Sequence, residues 1–225
     1  MYKIEILNNC CDDKFNQLET LIRKFAITVF MMQKYNLSNE SKEKMNQYIF
    51  DYNRFLSEHE IQCLEKDIND RIKFAKDSIK LKNKRKKTRY YILIKDNVII
   101  AFQTAQVRYE DNKIEGWRNF GYTEDLYKGR TGAVVDTYGK IYNGILSNVL
   151  YQNISKWFDE EKVEIERTAT GKNMYKNIKV YIVNKGFVPE KEDEERIYLI
   201  KDYNNIKNKL ELKYIYEKYM NKCNM

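Results

Sequence analysis

The sequence predicts one α/β domain in which a central mixed, mostly antiparallel sheet is flanked by helices, with an enlarged helical N-terminal region and an appended C-terminal helix. Three observations predict it. Apolar residues recur at helical spacing through residues 13–79, the period drops to two from Tyr90 onward, and beyond Thr131 short strands and helices alternate. At 225 residues the chain is within the range of a single domain and can bury roughly 70% of its unfolded surface.

Tyr2 to Leu7 alternates apolar and polar residues and reads as a strand with one buried face. Asp12 and Asp13 then precede Phe15, Leu18, Leu21, Ile22, Phe25 and Ala26, so the aspartates are natural caps for a first helix. A polar break at Asn36 to Asn39 separates it from a second helix carrying Met45, Ile49, Tyr52 and Phe55. A third, over residues 60–79, carries Ile61, Leu64, Ile68, Ile72, Phe74 and Ala75. It runs into the basic cluster Lys80, Lys82, Lys84, Arg85, Lys86, Lys87 and Arg89. These cations either complement a helix C-terminus or hold the phosphates of a ligand or a nucleic acid, with Tyr90 and Tyr91 beside them as stacking faces.

Tyr90 to Ile94 and Val98 to Tyr109 form a hairpin through Lys95-Asp96-Asn97. Residues 110–130, with Gly116, Gly121 and Gly129, read as a long loop suited to covering a substrate. Thr131 to Tyr138 is a strand, followed by a glycine-bearing turn from Tyr138 to Gly144. A helix with Ile145, Leu146, Val149, Leu150, Ile154, Trp157 and Phe158 on one face comes next. Lys162 to Thr168 is a strand and residues 173–184 a helix, ended by Lys185-Gly186-Phe187 with glycine at the cap. Arg196 to Lys201 is a last strand, and Ile206 to Tyr219 the appended helix. Residues 1–89, 90–202 and 203–225 are thus the helical N-terminal part, the core and the C-terminal helix of one domain.

Composition removes several chemistries. With 43% hydrophobic and 14% aromatic residues the chain is not a disordered tail, despite being 33% charged. Its net charge of +8 suits a polyanionic partner, either nucleic acid or a phosphorylated cofactor. Cys10, Cys11, Cys63 and Cys223 have no zinc-ligand spacing, so no metal is expected. The opening residues MYKIEILNN lack the charged-then-apolar pattern of a signal peptide, and the longest apolar run, Phe25 to Met32, is far short of the ~20 residues of a membrane span, so a cytoplasmic protein with no membrane partner is expected. The one histidine, His59, lies in a polar helix start, so any enzymatic mechanism here does without imidazole.

This order of elements resembles the GNAT superfamily of acyl-CoA N-acyltransferases from Tyr2 to about Asp202, most strongly from Gly132 to Phe187. The resemblance implies a fourth strand splayed from the fifth, with the pantetheine arm of CoA in the gap. It also implies a glycine turn that brings the amides of the next helix's start to the pyrophosphate, because a helix N-terminus presents unpaired donors to an anion. Carried onto this sequence, the implied cofactor residues are Val134, Val135, Tyr138, Gly139, Lys140, Tyr142, Asn143 and Gly144, with Asn173 after the fifth strand. Gly139 and Gly144 are too far apart to fill both glycine positions of the family's Q/R-x-x-G-x-G/A turn.

The family's tyrosine that protonates the leaving thiolate corresponds to Tyr181, one residue further from Gly186 than the pattern has it. The resemblance implies direct attack of a neutral amine on the thioester, its proton passing to a carboxylate. Glu110, Glu115 and Asp136 are the candidates by position. The implied activity is acetyl transfer from acetyl-CoA to a primary amine of a small molecule, a peptide or an aminoacyl-RNA. The alternative is a GNAT-like module without catalysis that binds nucleic acid or a protein.

Overall fold

Strand β1 (Tyr2–Ile6) leads into helices α1 (Asp13–Lys34), α2 (Lys42–Asp51) and α3 (Glu58–Lys80). The computed structural model describes residues 1–10, 13–35, 42–80, 85–110, 112–172 and 174–223, with the backbone alone at 42–45 and 223. Cys11, the Asp12 cap, the Asn36 to Asn39 break, Lys82, Lys84 and Asn173 lie outside the described residues, as do the side chains of Met45 and Cys223. Phe15, Leu18, Leu21, Ile22, Ala26 and Ile27 give α1 its buried stripe. Helix α3 begins with a reciprocal cap. The Ser57 amide donates to Glu60 Oε2 at 2.8 Å and the Glu60 amide donates to Ser57 Oγ at 3.4 Å.

Next come β2 (Lys86–Lys95) and β3 (Val98–Glu110), antiparallel across a turn in which Asp96 and Asn97 take φ of 50° and 64°. The segment read from sequence as a loop is largely a strand, β4 (Lys113–Thr123), paired antiparallel with β3. Its glycines serve close packing. A Cβ at Gly116 would stand 2.8 Å from the Phe158 ring, and one at Gly121 would stand 2.7 Å from the Phe102 carbonyl oxygen. The expected strand from Thr131 ends early, at Val135. It is the first arm of a hairpin, β5 (Thr131–Val135) and β6 (Ile141–Ile145), so the second half of the expected glycine turn is itself a strand.

Helix α4 (Leu146–Glu160), β7 (Ile165–Gly171) and α5 (Tyr175–Lys179) follow, and α5 continues into one π-helical turn (Val180–Asn184). Then come β8 (Val188–Glu192), β9 (Arg196–Asp202) and α6 (Lys209–Cys223), the last capped by the Asn208 side chain on the Glu211 amide at 3.0 Å. The nine strands stand in the order β6-β5-β1-β2-β3-β4-β7-β9-β8. β1–β5 and β4–β7 are parallel and the other six pairings antiparallel, which is the mixed, mostly antiparallel sheet that the sequence predicts.

Alternation along the central strands divides the core. Tyr90, Ile92, Ile94, Phe102 and Tyr122 pack on the α1 and α3 side. Tyr91, Leu93, Ala101, Ala105 and Val107 face Trp157 and Phe158 of α4. Each face thus has its own helical layer. Among the described residues no helix is long and apolar enough to cross a membrane.

Candidate active site

The two central parallel strands stay together for only a few rungs. Glu115 to Trp117 of β4 pair with Ile165 to Arg167 of β7, and the ladder stops there. On its other side β4 bulges. Gln103 pairs with Gly121 and Ala105 with Arg118, so Asn119 and Phe120 together oppose Thr104. A bulge bends its strand and re-aims the backbone, which turns β4 out of line with β7. The first step beyond the ladder is bridged by a side chain, the Thr168 hydroxyl donating to the Arg118 carbonyl at 3.2 Å.

The lining of this gap is a buried polar network. Arg118 and Glu166 are 1% and 0% exposed and form an ion pair through Arg118 Nε. Arg118 also donates to the Tyr151 carbonyl at 3.1 Å and to Ser155 Oγ at 2.7 Å, and its guanidinium lies 3.5 Å from the Tyr151 ring centroid. Glu166 accepts from the hydroxyls of Tyr203 at 2.7 Å and Tyr151 at 3.3 Å. Four elements therefore converge on one charge pair. Such a pair is stable only with its remaining donors and acceptors satisfied, and here they are.

Tyr181 comes to the same place from the other side. It lies in the π-helical turn, packs edge-on against Phe187 with ring centroids 5.6 Å apart, and its hydroxyl is beside Thr168, Arg118 and Glu166. A π turn closes i to i+5 and holds one residue more than an α turn, so it takes up the extra residue between Tyr181 and Gly186. The Phe187 amide returns to the Tyr181 carbonyl at 3.1 Å, and Gly186 sits at φ 81°. Burial raises the Tyr181 pKa, against the opposing pull of Arg118 and Thr168. At neutral pH the phenol is protonated.

Helix α4 starts beside this gap without a side-chain cap. Its N-cap residue is Ile145, which has no oxygen to offer, and the Leu146 amide is held by the Arg130 carbonyl at 3.0 Å. The amides of Ser147 and Asn148 in the first turn have no side chain capping them. Lys185, at the end of the π turn, bonds the Asn148 side chain and stands 4.2 Å over the Tyr151 ring. Burial lowers its pKa, and the neighbouring cations Arg118 and Lys201 lower it further. The N-terminal end of the α4 dipole and the Lys185 cation meet at Asn148, an arrangement that attracts an anion.

No protein-family model matches the sequence, and no curated protein does. Solved structures do match. PaiA N-acetyltransferase from Thermoplasma acidophilum, in complex with coenzyme A, superposes with a TM-score of 0.50 at 16% identity, over 89% of this chain and 99% of that one. A probable acetyltransferase from Staphylococcus epidermidis gives a TM-score of 0.50 at 14% identity over 90% and 99%. A Pyrococcus horikoshii protein gives 0.51 at 13% over 91% and 100%. The fold is that of the GNAT N-acetyltransferases.

In GNAT terms β4 and β7 are the fourth and fifth strands, and the β5–β6 hairpin is set between the fourth strand and its helix. That insertion decides where the sequence-predicted residues lie. Tyr138, Gly139 and Lys140 form the tip of the hairpin, with Gly139 at φ 80°. The Asp136 carboxylate accepts the amides of Tyr138 and Lys140 at 2.9 Å each and pairs with Lys156 at 2.5 Å, so the donors of this turn are already occupied. The turn also lies against the middle of α4, where the Thr137 amide donates to Asn153 at 3.1 Å, and not at its start.

Val134 is fully buried in the core, and Val135 pairs with Ile141. Tyr142 receives a bond from Lys156 at 2.5 Å, and of the predicted group Asn143 and Gly144 stand nearest the start of α4.

The carboxylates divide in the same way. Glu110 is exposed at the turn end of β3, opposite Lys113 and away from the gap. Glu115 faces Lys113 at 3.2 Å and Arg167 at 3.4 Å, and although burial pushes its pKa up these cations bring it below the usual value. Asp136 is engaged inside its hairpin by Lys156 and the amides of Tyr138 and Lys140. The structure thus brings Tyr181 to the gap and leaves the three carboxylates elsewhere.

Arg118, Glu166, Thr168, Tyr151, Tyr203 and Lys185 are the residues that sequence reasoning misses. One signal was available. Along β7 the buried positions are Glu166, Thr168 and Thr170, so this strand buries its polar residues at period two.

Proposed function

We propose that this chain is an acyl-CoA-dependent N-acetyltransferase that moves an acetyl group from acetyl-CoA to a primary amine. One observation carries the reading: the gap between β4 and β7 has a buried phenol, Tyr181, on one side and the uncapped start of α4 on the other. Those residues fit the cosubstrate. The amides of Ser147 and Asn148, with Lys185, would take the pyrophosphate, and the freed edge of β4 beyond Trp117 would pair with the pantetheine amides. Acetyl-CoA supplies an activated thioester to this site.

The protein's own part is orientation and one proton. Burial keeps the Tyr181 phenol protonated, ready to donate to the departing thiolate, and the Arg118–Glu166 pair fixes the walls of the gap. Glu166 has its oxygens bound by Arg118, Tyr151 and Tyr203, so it orients and does not serve as the base. The amine enters neutral and loses its proton to solvent after attack. A cytosolic setting goes with this reading, since the free thiols of Cys10 and Cys63 suit a reducing compartment.

Thermal unfolding with and without acetyl-CoA tests it. A ligand at about 100 times its dissociation constant adds roughly 2.7 kcal/mol of apparent stability. That shift, followed by thiol release in the presence of a panel of primary amines, is the expected result. No shift at millimolar acetyl-CoA overturns the reading in favour of a module that only binds a partner.

A further inference from the structure

The basic stretch runs into β2, and the structure gives the first lysine of that strand an unusual neighbour. Lys86, the first residue of β2, stands directly across from Arg108 on β3. Like charges at directly opposed positions are destabilising, so such a pair needs an explanation. Among the described residues neither cation has an ion-pair partner. Arg108 Nε is buried with no hydrogen-bond acceptor, and Arg108 Nη2 reaches only Gln106 Oε1, at 3.3 Å. The two cations lie instead against aromatic rings, Lys86 5.3 Å from Phe74 and Arg108 4.7 Å from Trp117. Burial lowers the Lys86 pKa, and Arg108 lowers it further.

Carboxylates on this side of the sheet do not relieve the pair. Glu115, across from Arg108 on β4, is engaged by Lys113, by Arg167 and by the Trp117 indole N–H at 3.2 Å. Glu190 is bound to Arg167. Glu115 and Glu190 are thus taken by Lys113 and Arg167, Glu110 stands across from Lys113, and among the described residues no carboxylate comes within ion-pair distance of Lys86 or Arg108.

We propose that Lys86 and Arg108, backed by Gln106 and the Trp117 ring, form a binding site for a phosphate group on the face of the sheet opposite α4. A phosphate dianion would accept from the guanidinium Nη groups of Arg108 and from the Lys86 ammonium, neutralise both cations and turn the repulsion into attraction. The site adjoins Trp117, at the last rung before β4 and β7 part, and it rests on no part of the acyl-transfer reading.

The test is a titration with inorganic phosphate at constant ionic strength, against chloride, in the presence and absence of acetyl-CoA. Thermal midpoint and the 15N signal of Arg108 Nε–H are the two readouts. At ten times its dissociation constant, phosphate is expected to raise the midpoint of the wild type by roughly 3–6 °C and to shift the Nε–H signal to a plateau. Lys86→Gln and Arg108→Gln each abolish the phosphate response and raise the midpoint of the phosphate-free protein, a gain that a purely structural pair would not show. Their acetyl-CoA response stays that of the wild type, whatever that response is, so this proposal and the acyltransferase reading fail separately.

O-phosphoethanolamine binding more tightly than inorganic phosphate assigns the site to a phosphorylated amine, and equal binding assigns it to free phosphate. A response that never saturates, or one that survives in both variants, overturns the site.

Discussion

Arg118 and Arg108 stand on neighbouring strands, both stacked on an aromatic ring, and on opposite faces of the same sheet. Arg118 has Glu166, the Ser155 hydroxyl and a backbone carbonyl; Arg108 has one long bond to an amide oxygen and a cation across the ladder. The first is finished by the fold and the second is not. Arg118 is buried with its donors matched, whereas Arg108 is half-buried with its Nε–H left over.

The sharpest way to break that comparison is to unmatch the finished side. Glu166→Ala strands Arg118 in the core and is expected to destabilise by about 3–5 kcal/mol, read by urea denaturation. Glu166→Ala combined with Arg118→Met should recover part of that loss, because no buried charge is then left alone. An unaltered urea midpoint in the single variant would mean that the pair is solvated and that the contrast with Arg108 is empty.

A second change leaves the charge pair intact and removes the proton donor beside it. Tyr181→Phe is expected to lower kcat on the order of 100-fold with the KM for acetyl-CoA nearly unchanged. A raised KM with kcat unchanged would make Tyr181 a binding residue.

The third concerns an acid matched locally. Burial pushes the Asp136 carboxyl up, but Lys156 and the amides of Lys140 and Tyr138 bring it below its ordinary value. A carboxylate with a lowered folded-state pKa adds stability that is present above its unfolded pKa and disappears as pH falls through the folded one. Asp136→Asn should therefore flatten the acid limb of the stability profile below about pH 4 and cost roughly 1–3 kcal/mol at pH 7. A mutant profile parallel to that of the wild type in the acid range would place the linkage on other carboxylates.

What was legible in the sequence follows from the range of the interactions. Helices α1 and α3 and the β2–β3 hairpin show their periods within a few residues, and they stand where the sequence puts them. Strand β4 was hidden by Gly116 and Gly121, which look like loop residues but are glycines because the Phe158 ring and the Phe102 carbonyl leave no room for a Cβ. β6 and β8 are five-residue edge strands, and β8 carries Pro189 among charges, so neither has a run long enough to read.

In the candidate site Tyr181 could be read because Gly186 and Phe187 mark its helix end. Arg118 and Glu166 could not, since their partnership joins positions 48 apart and exists only after β4 and β7 have paired.

The π turn over Val180–Asn184 has a consequence for chain length. A helix that carries one surplus residue in a widened turn can lose it and close to ordinary α geometry without rotating what stands on either side. Removing Val183 should leave both Tyr181 and Phe187 where they are, so the phenol keeps its address while its spacing to Gly186 shortens by one residue.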